Sequence, residues 1–262
     1  MRSGPADLQK CLRNRSHFLR RLRSPCEKCE LVRELEESRS TIDRALRELE
    51  RAGFVARDDD GFRTTLAGEL ALAEHERHVA RLDGITSVAD RLGALPADAP
   101  LDAALFEGAD VSLPTRRSPH EPVESLEALV ADADHARVFG TTVIPSYVDL
   151  YHERIVEGGM TAELVLSERV IEWLLSRREE AMVATASTEG VTVAETDATH
   201  SFSLTVVESK SGGGASDRSV GVMIYDEGTL HGFVQNDTRE AVAWGDALFD
   251  RLAGEAQVLE VA

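Results

Sequence analysis

Lysine is almost missing from this chain: of 262 residues only Lys10, Lys28 and Lys210 are lysines, against 47 Asp and Glu. The formal net charge of −18 would, on a uniform surface, repel a phosphate backbone and exclude a nucleic-acid partner. Cysteine is equally scarce. Cys11, Cys26 and Cys29 all lie in the first 30 residues, and an odd count in a chain without secretory features excludes a disulfide framework. No apolar run approaches the roughly 18 residues of a membrane span. The N-terminus, with Arg2, Asp7 and Lys10, lacks the apolar stretch of a signal peptide, so a cytoplasmic protein without a membrane partner is expected. Also missing are a Gly-rich phosphate loop, a nucleophile elbow and a metallohydrolase helix. No catalytic residue, metal or cofactor is therefore assigned.

The average charge conceals an uneven distribution. Residues 1–65 carry 15 Lys and Arg against 12 Asp and Glu, a balance of +3, which leaves −21 for residues 66–262. The cations that a DNA partner needs are concentrated in one segment. The acid excess elsewhere, with arginine replacing lysine, fits a salt-adapted proteome, because at 1 M salt the Debye length is only about 3 Å and self-repulsion is screened.

At 42% hydrophobic residues, the chain has enough apolar material for a small and a medium domain. Leu8, Cys11, Leu12, Phe18, Leu19 and Leu22 recur at three- and four-residue steps and predict a helix over 7–23, ended by Pro25. A second helix fits 27–36. A third fits 40–52, where Ile42, Ala45, Leu46 and Leu49 follow the helical stripe, Ser40 and Asp43 suggest a capping box, and Gly53 is the expected C-cap. Residues 54–57 and 62–65 flank Asp58-Asp59-Asp60-Gly61 as a β-hairpin. Three helices followed by a hairpin make a winged helix-turn-helix over 1–65.

A long linker helix is expected over 66–95, with Leu66, Leu70, Ala73, Val79, Leu82, Ile85, Ala89 and Leu92 available for one stripe. Such a stripe can pack on a second copy, giving a homodimer, or on its own chain. Five of the eight prolines fall in 96–122, which reads as an extended connection with one short strand around 109–113. Together 66–122 form the linker and dimerisation segment. From 123 to 262, helices at 123–132, 146–157, 168–180 and 238–253 alternate with strands near 137–142, 162–166, 191–195, 201–208, 220–225 and 229–235, with a Gly/Ser-rich loop at 209–219. This is an α/β (α+β) layer.

The most informative stretch is 37–55. Its apolar residues hold a helix on a small core, while Arg39, Ser40, Thr41, Arg44 and Arg47 lie at its start or outer side. In a helix-turn-helix that end of the second helix enters the major groove of double-stranded DNA, where arginine pairs with guanine and short hydroxyls reach bases or phosphates. Arg57 and Arg63 on the wing are placed to hold adjacent phosphates. A charged solvated helix is the plainer alternative, since Asp43, Glu48 and Glu50 are present as well.

The arrangement Ser38-x-Ser40-Thr41-x-x-Arg44-Ala45-Leu46, continuing to Gly53-Phe54-Val55 and a later Phe62-x-x-Thr65, resembles the winged helix of many archaeal and bacterial regulators. Leu105 to Val111, Arg137-Val138-Phe139-Gly140-Thr141-Thr142, Ala162 to Ser167 and Val220 to Asp226 resemble the haloarchaeal transcriptional regulators that carry a FilR1-type middle domain, TrmB-like in architecture. The resemblance implies a winged-helix regulator whose C-terminal α/β domain senses a small-molecule effector. The Cys-x-x-Cys of Cys26 and Cys29 departs from it. Three roles stay open for that pair: structural, redox-sensing, or metal-binding with Cys11 and His17 completing the set. His75 and His78, at i and i+3 beside Glu74 and Glu76, read as solvated helix residues or as a metal pair.

Polar groups where strands end and helices begin are the natural ligand contacts of an open α/β layer. They point to Thr141, Thr142, Ser146, Tyr147 and Ser167 for the effector, with Tyr147 and Trp173 equally readable as core aromatics. The expected function is effector- or redox-modulated DNA binding. A protein-binding winged-helix adaptor and an enzyme with its active site in the C-terminal domain are the alternatives.

Overall fold

In the computed structural model, which describes residues 4–210 and 216–259, the first periodic segment becomes α1 (Pro5–Arg21). It is followed by α2 (Lys28–Glu34), α3 (Arg39–Ala52) and the hairpin β1 (Val55–Asp58) and β2 (Gly61–Thr64). Phe18, Leu19, Leu22, Leu31, Ile42, Leu46 and Leu49 close over one core. The capping box falls on α2 and not on α3: the Glu27 N–H donates to Glu30 Oε2 at 2.9 Å, and the Glu27 carboxylate accepts in return. The N-cap of α3 is Ser38, whose Oγ accepts from the Thr41 N–H at 3.2 Å. The expected start at Ser40 is thereby corrected by two residues. Ser38 has the extended backbone that a cap requires, and Asp43 is drawn away by Lys28 at 2.8 Å. At the other end Gly53 takes φ 76°, a left-handed C-cap.

The wing holds a third edge. Cys26 forms an antiparallel bridge to Phe62, with both N–H···O distances 3.0 Å. Gly61 makes this approach feasible: its φ is +114°, and a Cβ there would lie 2.7 Å from the Cys26 carbonyl oxygen.

Helix α4 (Leu66–Ser87) stops eight residues before the expected 95. Val88, at φ −117°, leaves the helix and is buried beside Leu105 and Phe106, and a short α5 (Ala89–Leu92) follows. The single stripe is also corrected. Leu66 and Leu70 are 76% and 61% exposed, but Val79 and Leu82, the other exposed large apolar residues of α4, lie about 160–220° round the axis from Leu66 at roughly 100° per residue. Leu72 joins the core of the first unit and Ile85 that of the second. The two compact units are Met1–Ala80 and Arg81–Ala262.

The second unit is a three-layer α/β structure. Its eight-stranded sheet has the order β10-β6-β5-β4-β7-β8-β9-β3, with β3 (Asp110–Ser112), β4 (His135–Gly140), β5 (Thr161–Ser167), β6 (Val191–Thr196), β7 (Phe202–Lys210), β8 (Ser216–Asp226), β9 (Thr229–Asn236) and β10 (Gln257–Val258). β4, β5 and β6 are parallel; the other pairings are antiparallel. The short strand expected around 109–113 within the segment 96–122 is β3, which pairs with β9 at the edge of the sheet. Residues 211–215 of the expected Gly/Ser-rich loop lie outside the described residues.

One face of the sheet carries α6 (Glu121–Val130), α7 (Pro145–His152) with a π turn after it (Glu153–Glu157), α8 (Glu168–Arg177) and α9 (Glu179–Ala186). The opposite face carries α10 (Arg239–Gly254) and a 3-10 turn (Ala103–Phe106). Strand alternation decides which side chain goes where. Phe139, Val165, Leu204, Val222 and Val234 pack toward α10; Val138, Leu164, Thr205, Met223 and Phe233 point the other way. The α10 side is also the charged one. Arg137 stacks on Phe249 at 4.4 Å and pairs with Asp246 at 3.1 Å and with Asp250. Asp246 also receives Arg218 at 2.7 Å.

Candidate nucleic-acid interface and ligand cleft

In the first unit the charged side chains sort themselves by partner. Arg15 is held by Glu48 at 2.9 Å, Arg20 by Glu76 at 2.5 Å, Arg23 by Glu69 at 3.0 Å and Arg21 by Glu34. On α3, by contrast, Arg39 and Arg44 are exposed and have no ion pair among the described residues, and Arg47 donates only to the Asp43 carbonyl at 3.0 Å. Arg51 adds a further exposed cation without an ion pair to α3, and Lys10, Arg13 and Arg33 elsewhere in the unit are likewise exposed and without an ion pair among the described residues. At the start of this helix Ser38 Oγ lies 2.9 Å from the hydroxyls of both Ser40 and Thr41, the first exposed and the second partly so. Three hydroxyls stand together with free helix-end amides, an arrangement suited to a phosphate or base edge.

The wing residues differ from each other. Arg63 is tied to Asp58 at 2.8 Å, while Arg57 lies over the Phe62 ring at 5.3 Å with Lys28 over the same ring at 5.6 Å. Arg57 is the freer of the two for a phosphate. An exposed pair such as Arg63 with Asp58 can exchange its carboxylate for a phosphate at small cost.

Cys26, Cys29 and Cys11 are not brought into one site. Cys26 is 1% exposed in the wing bridge, Cys29 is exposed on α2, and Cys11 is partly buried on α1. Burial pushes the Cys26 thiol up, with Arg21 pulling against it and Glu30 adding to it. The Cys11 thiol is raised by burial and then by Glu48. Raised thiols are poor nucleophiles and poor metal ligands. His17 faces Glu37 at 3.3 Å. Among the described residues no group of three or more His, Cys, Asp or Glu is arranged to hold a metal ion, His75 and His78 included.

In the second unit, between the sheet and α6 to α9, lies a cleft of about 110 Å³. Its floor is the set of alternate strand residues Val138 and Gly140, Leu164 and Leu166, Ser203 and Thr205, and Met223 and Tyr225. Its wall is one face of α7, where Ile144, Tyr147, Val148, Tyr151 and His152 recur at helical spacing. Thr142, Val143, Ile144 and Val148 are partly exposed and form its rim. The lining contains no carboxylate, ammonium, guanidinium or thiol.

All three tyrosines of the chain, Tyr147, Tyr151 and Tyr225, line this cleft. Tyr151 Oη pairs with Thr205 Oγ1 at 2.9 Å. The hydroxyls of Tyr147 and Tyr225, residues 9% and 1% exposed, are buried without a hydrogen-bond partner. Tyr225 lies beside Ser203 without an aligned bond to it. Burial pushes its hydroxyl up to about 12 against the pull of Ser203. Burial raises Tyr147 and Tyr151 further, and the neighbouring tyrosines add to it. At neutral pH all three are protonated donors.

Of the expected effector contacts, Thr142 and Tyr147 line the cleft. Thr141 donates to the Phe202 carbonyl at 3.0 Å, Ser146 is exposed on α7, and Ser167 is buried at the end of β5 with its Oγ unpartnered. Tyr151 and Tyr225 are not among the expected contacts. The signal available was the i, i+4 pair of Tyr147 and Tyr151 in a chain with one other tyrosine.

A winged-helix unit joined to a three-layer α/β unit is the class that this fold defines. Residues 119–255 match the family model of the methanogenesis regulatory protein FilR1, middle domain, and the chain belongs to that family. Residues 6–86 match a second model, the HVO_A0261 N-terminal domain. Among solved structures, TrmBL2, described as an archaeal chromatin protein, is similar at 13% identity and TM-score 0.42, covering 96% of this chain and 99% of that one. NucT from Helicobacter pylori (6% identity, TM-score 0.39) and the phospholipase D family member Nuc from Salmonella typhimurium (10%, 0.38) each cover 58% of this chain and 98% of their own. No curated protein matches the sequence. Among the described residues no helix is long and apolar enough to cross a membrane.

Proposed function

We propose that this protein is a sequence-specific transcriptional regulator of double-stranded DNA, acting as a homodimer, whose operator affinity is set by a small-molecule effector in the cleft of its second unit. The observation that carries the reading is the gathering of unpaired cations on one helix: Arg39, Arg44 and Arg51 of α3 are exposed without an ion pair among the described residues, and Arg47 donates only to a carbonyl. Arg39, Ser40, Thr41, Arg44 and Arg47 then read the major groove, and Arg57 and Arg63 take flanking phosphates. A lining without a carboxylate, ammonium, guanidinium or thiol favours binding over catalysis.

α4 spans the division between the units as one unbroken helix, and a coupling of about 1–3 kcal/mol carried along it is enough to change operator occupancy. The test is gel retardation of genomic fragments selected by the full-length protein. Replacing Arg44 and Arg47 together with Ala is expected to weaken retention at least tenfold, and unchanged retention would overturn the assignment. Sedimentation of the free protein at twice the chain mass supports the dimer; a monomer at micromolar concentration removes it.

A further inference from the structure

We infer that the cleft selects an uncharged, largely apolar molecule of roughly four to five non-hydrogen atoms carrying one oxygen function, held by the hydroxyls of Tyr147 and Tyr225. The inference deepens the effector reading above by naming the chemical class. Charge is disfavoured by the lining: it holds no carboxylate, ammonium or guanidinium, its one imidazole, His152, already pairs through Nδ1 with Thr185 Oγ1 at 3.0 Å, and a buried carboxylate, phosphate or ammonium would lose its water with little return. Size follows from the volume: about 110 Å³ is smaller than the roughly 150 Å³ apolar cavity that takes up the six carbons of benzene, which leaves room for about four to five non-hydrogen atoms. The oxygen follows from the two unpartnered hydroxyls. A buried donor with no acceptor costs about 1–3 kcal/mol, so two in one cleft mark a place where a partner arrives from outside.

Glycines keep the floor open. At Gly140 a Cβ would stand 3.0 Å from Leu166 Cδ2, and at Gly221 one would meet the Phe233 ring at 2.6 Å. Tyr151 differs from the other two, being already satisfied by Thr205, and it fixes the wall without addressing the ligand.

The experiment uses three probes of five non-hydrogen atoms each on the full-length protein without DNA: 1-butanol, pentane and propionate, followed by calorimetry and by the shift in Tm. 1-Butanol is expected to bind at least tenfold more tightly than propionate and several-fold more tightly than pentane. The double variant Tyr147→Phe, Tyr225→Phe should lose the preference for the alcohol over pentane while still binding both. That variant should also melt above the wild type when no probe is present, since it removes hydroxyls that have no partner. Propionate binding as well as the alcohol, an unchanged preference in the double variant, a lowered Tm for that variant, or no binding of any probe would each overturn the inference. Retardation of DNA is read separately, so failure here leaves the Arg44 and Arg47 result standing, and the reverse.

Discussion

The two units treat polar groups in opposite ways. In the first, charge stays at the surface, is cancelled in pairs only in part, and leaves exposed cations without acid partners among the described residues on α3. In the second, the cleft has no carboxylate, ammonium or guanidinium in its lining, and its unmatched groups include phenolic hydroxyls deep inside. A polyanion with its own hydration is met by solvated arginines, which cost little to keep exposed. A small neutral molecule is met by donors that have already lost their water, which costs stability but makes each hydrogen bond selective.

The largest expected effect tests whether each unit stands on its own core. Leu46, 1% exposed in the first unit, should cost about 2–5 kcal/mol when replaced by Ala, lowering the urea midpoint of the first unit while probe binding in the cleft persists. Gly221→Ala attacks the other side. Its Cβ would meet the Phe233 ring at 2.6 Å and Leu129 at 2.8 Å, so a loss of about 1–3 kcal/mol from overpacking should appear in the second unit, with DNA retardation retained.

The tyrosines give a direct reading of the cleft because the chain has no others. In folded protein the tyrosinate absorbance at 295 nm should stay absent through the range near pH 10 where exposed phenols ionise, and rise only toward 12 and beyond. The sign for stability follows. Above about pH 10 the unfolded chain releases phenolic protons that the folded cleft keeps, so stability is full below that pH and falls as pH rises. Tyrosinate appearing with a midpoint near 10 in native protein would show the hydroxyls to be solvated.

Smaller effects sharpen the DNA face. Arg44→Ala should lower the salt dependence of binding by about one counterion unit, and Arg63→Ala by less, because Asp58 already holds that guanidinium. Ser38→Ala should cost about 1 kcal/mol of stability as the loss of a true N-cap, whereas Ser40→Ala should alter DNA retention more than thermal stability.

Much of the fold was legible because periodicity reports burial. The stripe of Ile42, Ala45, Leu46 and Leu49 declares one buried face, and the unbroken apolar run Val222 to Tyr225 declares a strand buried on both. What was not legible depends on partners distant in sequence. The α3 cap went to Ser38 because Lys28, on another helix, takes Asp43. β10 is two residues long and exists only through its pairing to Glu195 and Ala194. The α4 stripe divided because its two ends serve different cores. On the DNA face, the arginines stand out in sequence, but that Arg63 is held by Asp58 across the hairpin while Arg57 lies over the Phe62 ring is decided by the fold. The cleft gathers side chains from Leu126 to Phe233, so Thr142 and Tyr147 could be found from their place after a strand, and Tyr225, on a different strand, could not.

The bridge between Cys26 and Phe62 turns the wing into its own gauge. A buried thiol meets an alkylating reagent only in the instants when the strand edge detaches, so the rate at which Cys26 is labelled is a clock for that detachment. Cys29, exposed three residues on, is labelled without any such event and supplies the reference rate within the same molecule. DNA that clamps the wing would slow the first reaction and leave a much smaller mark on the second.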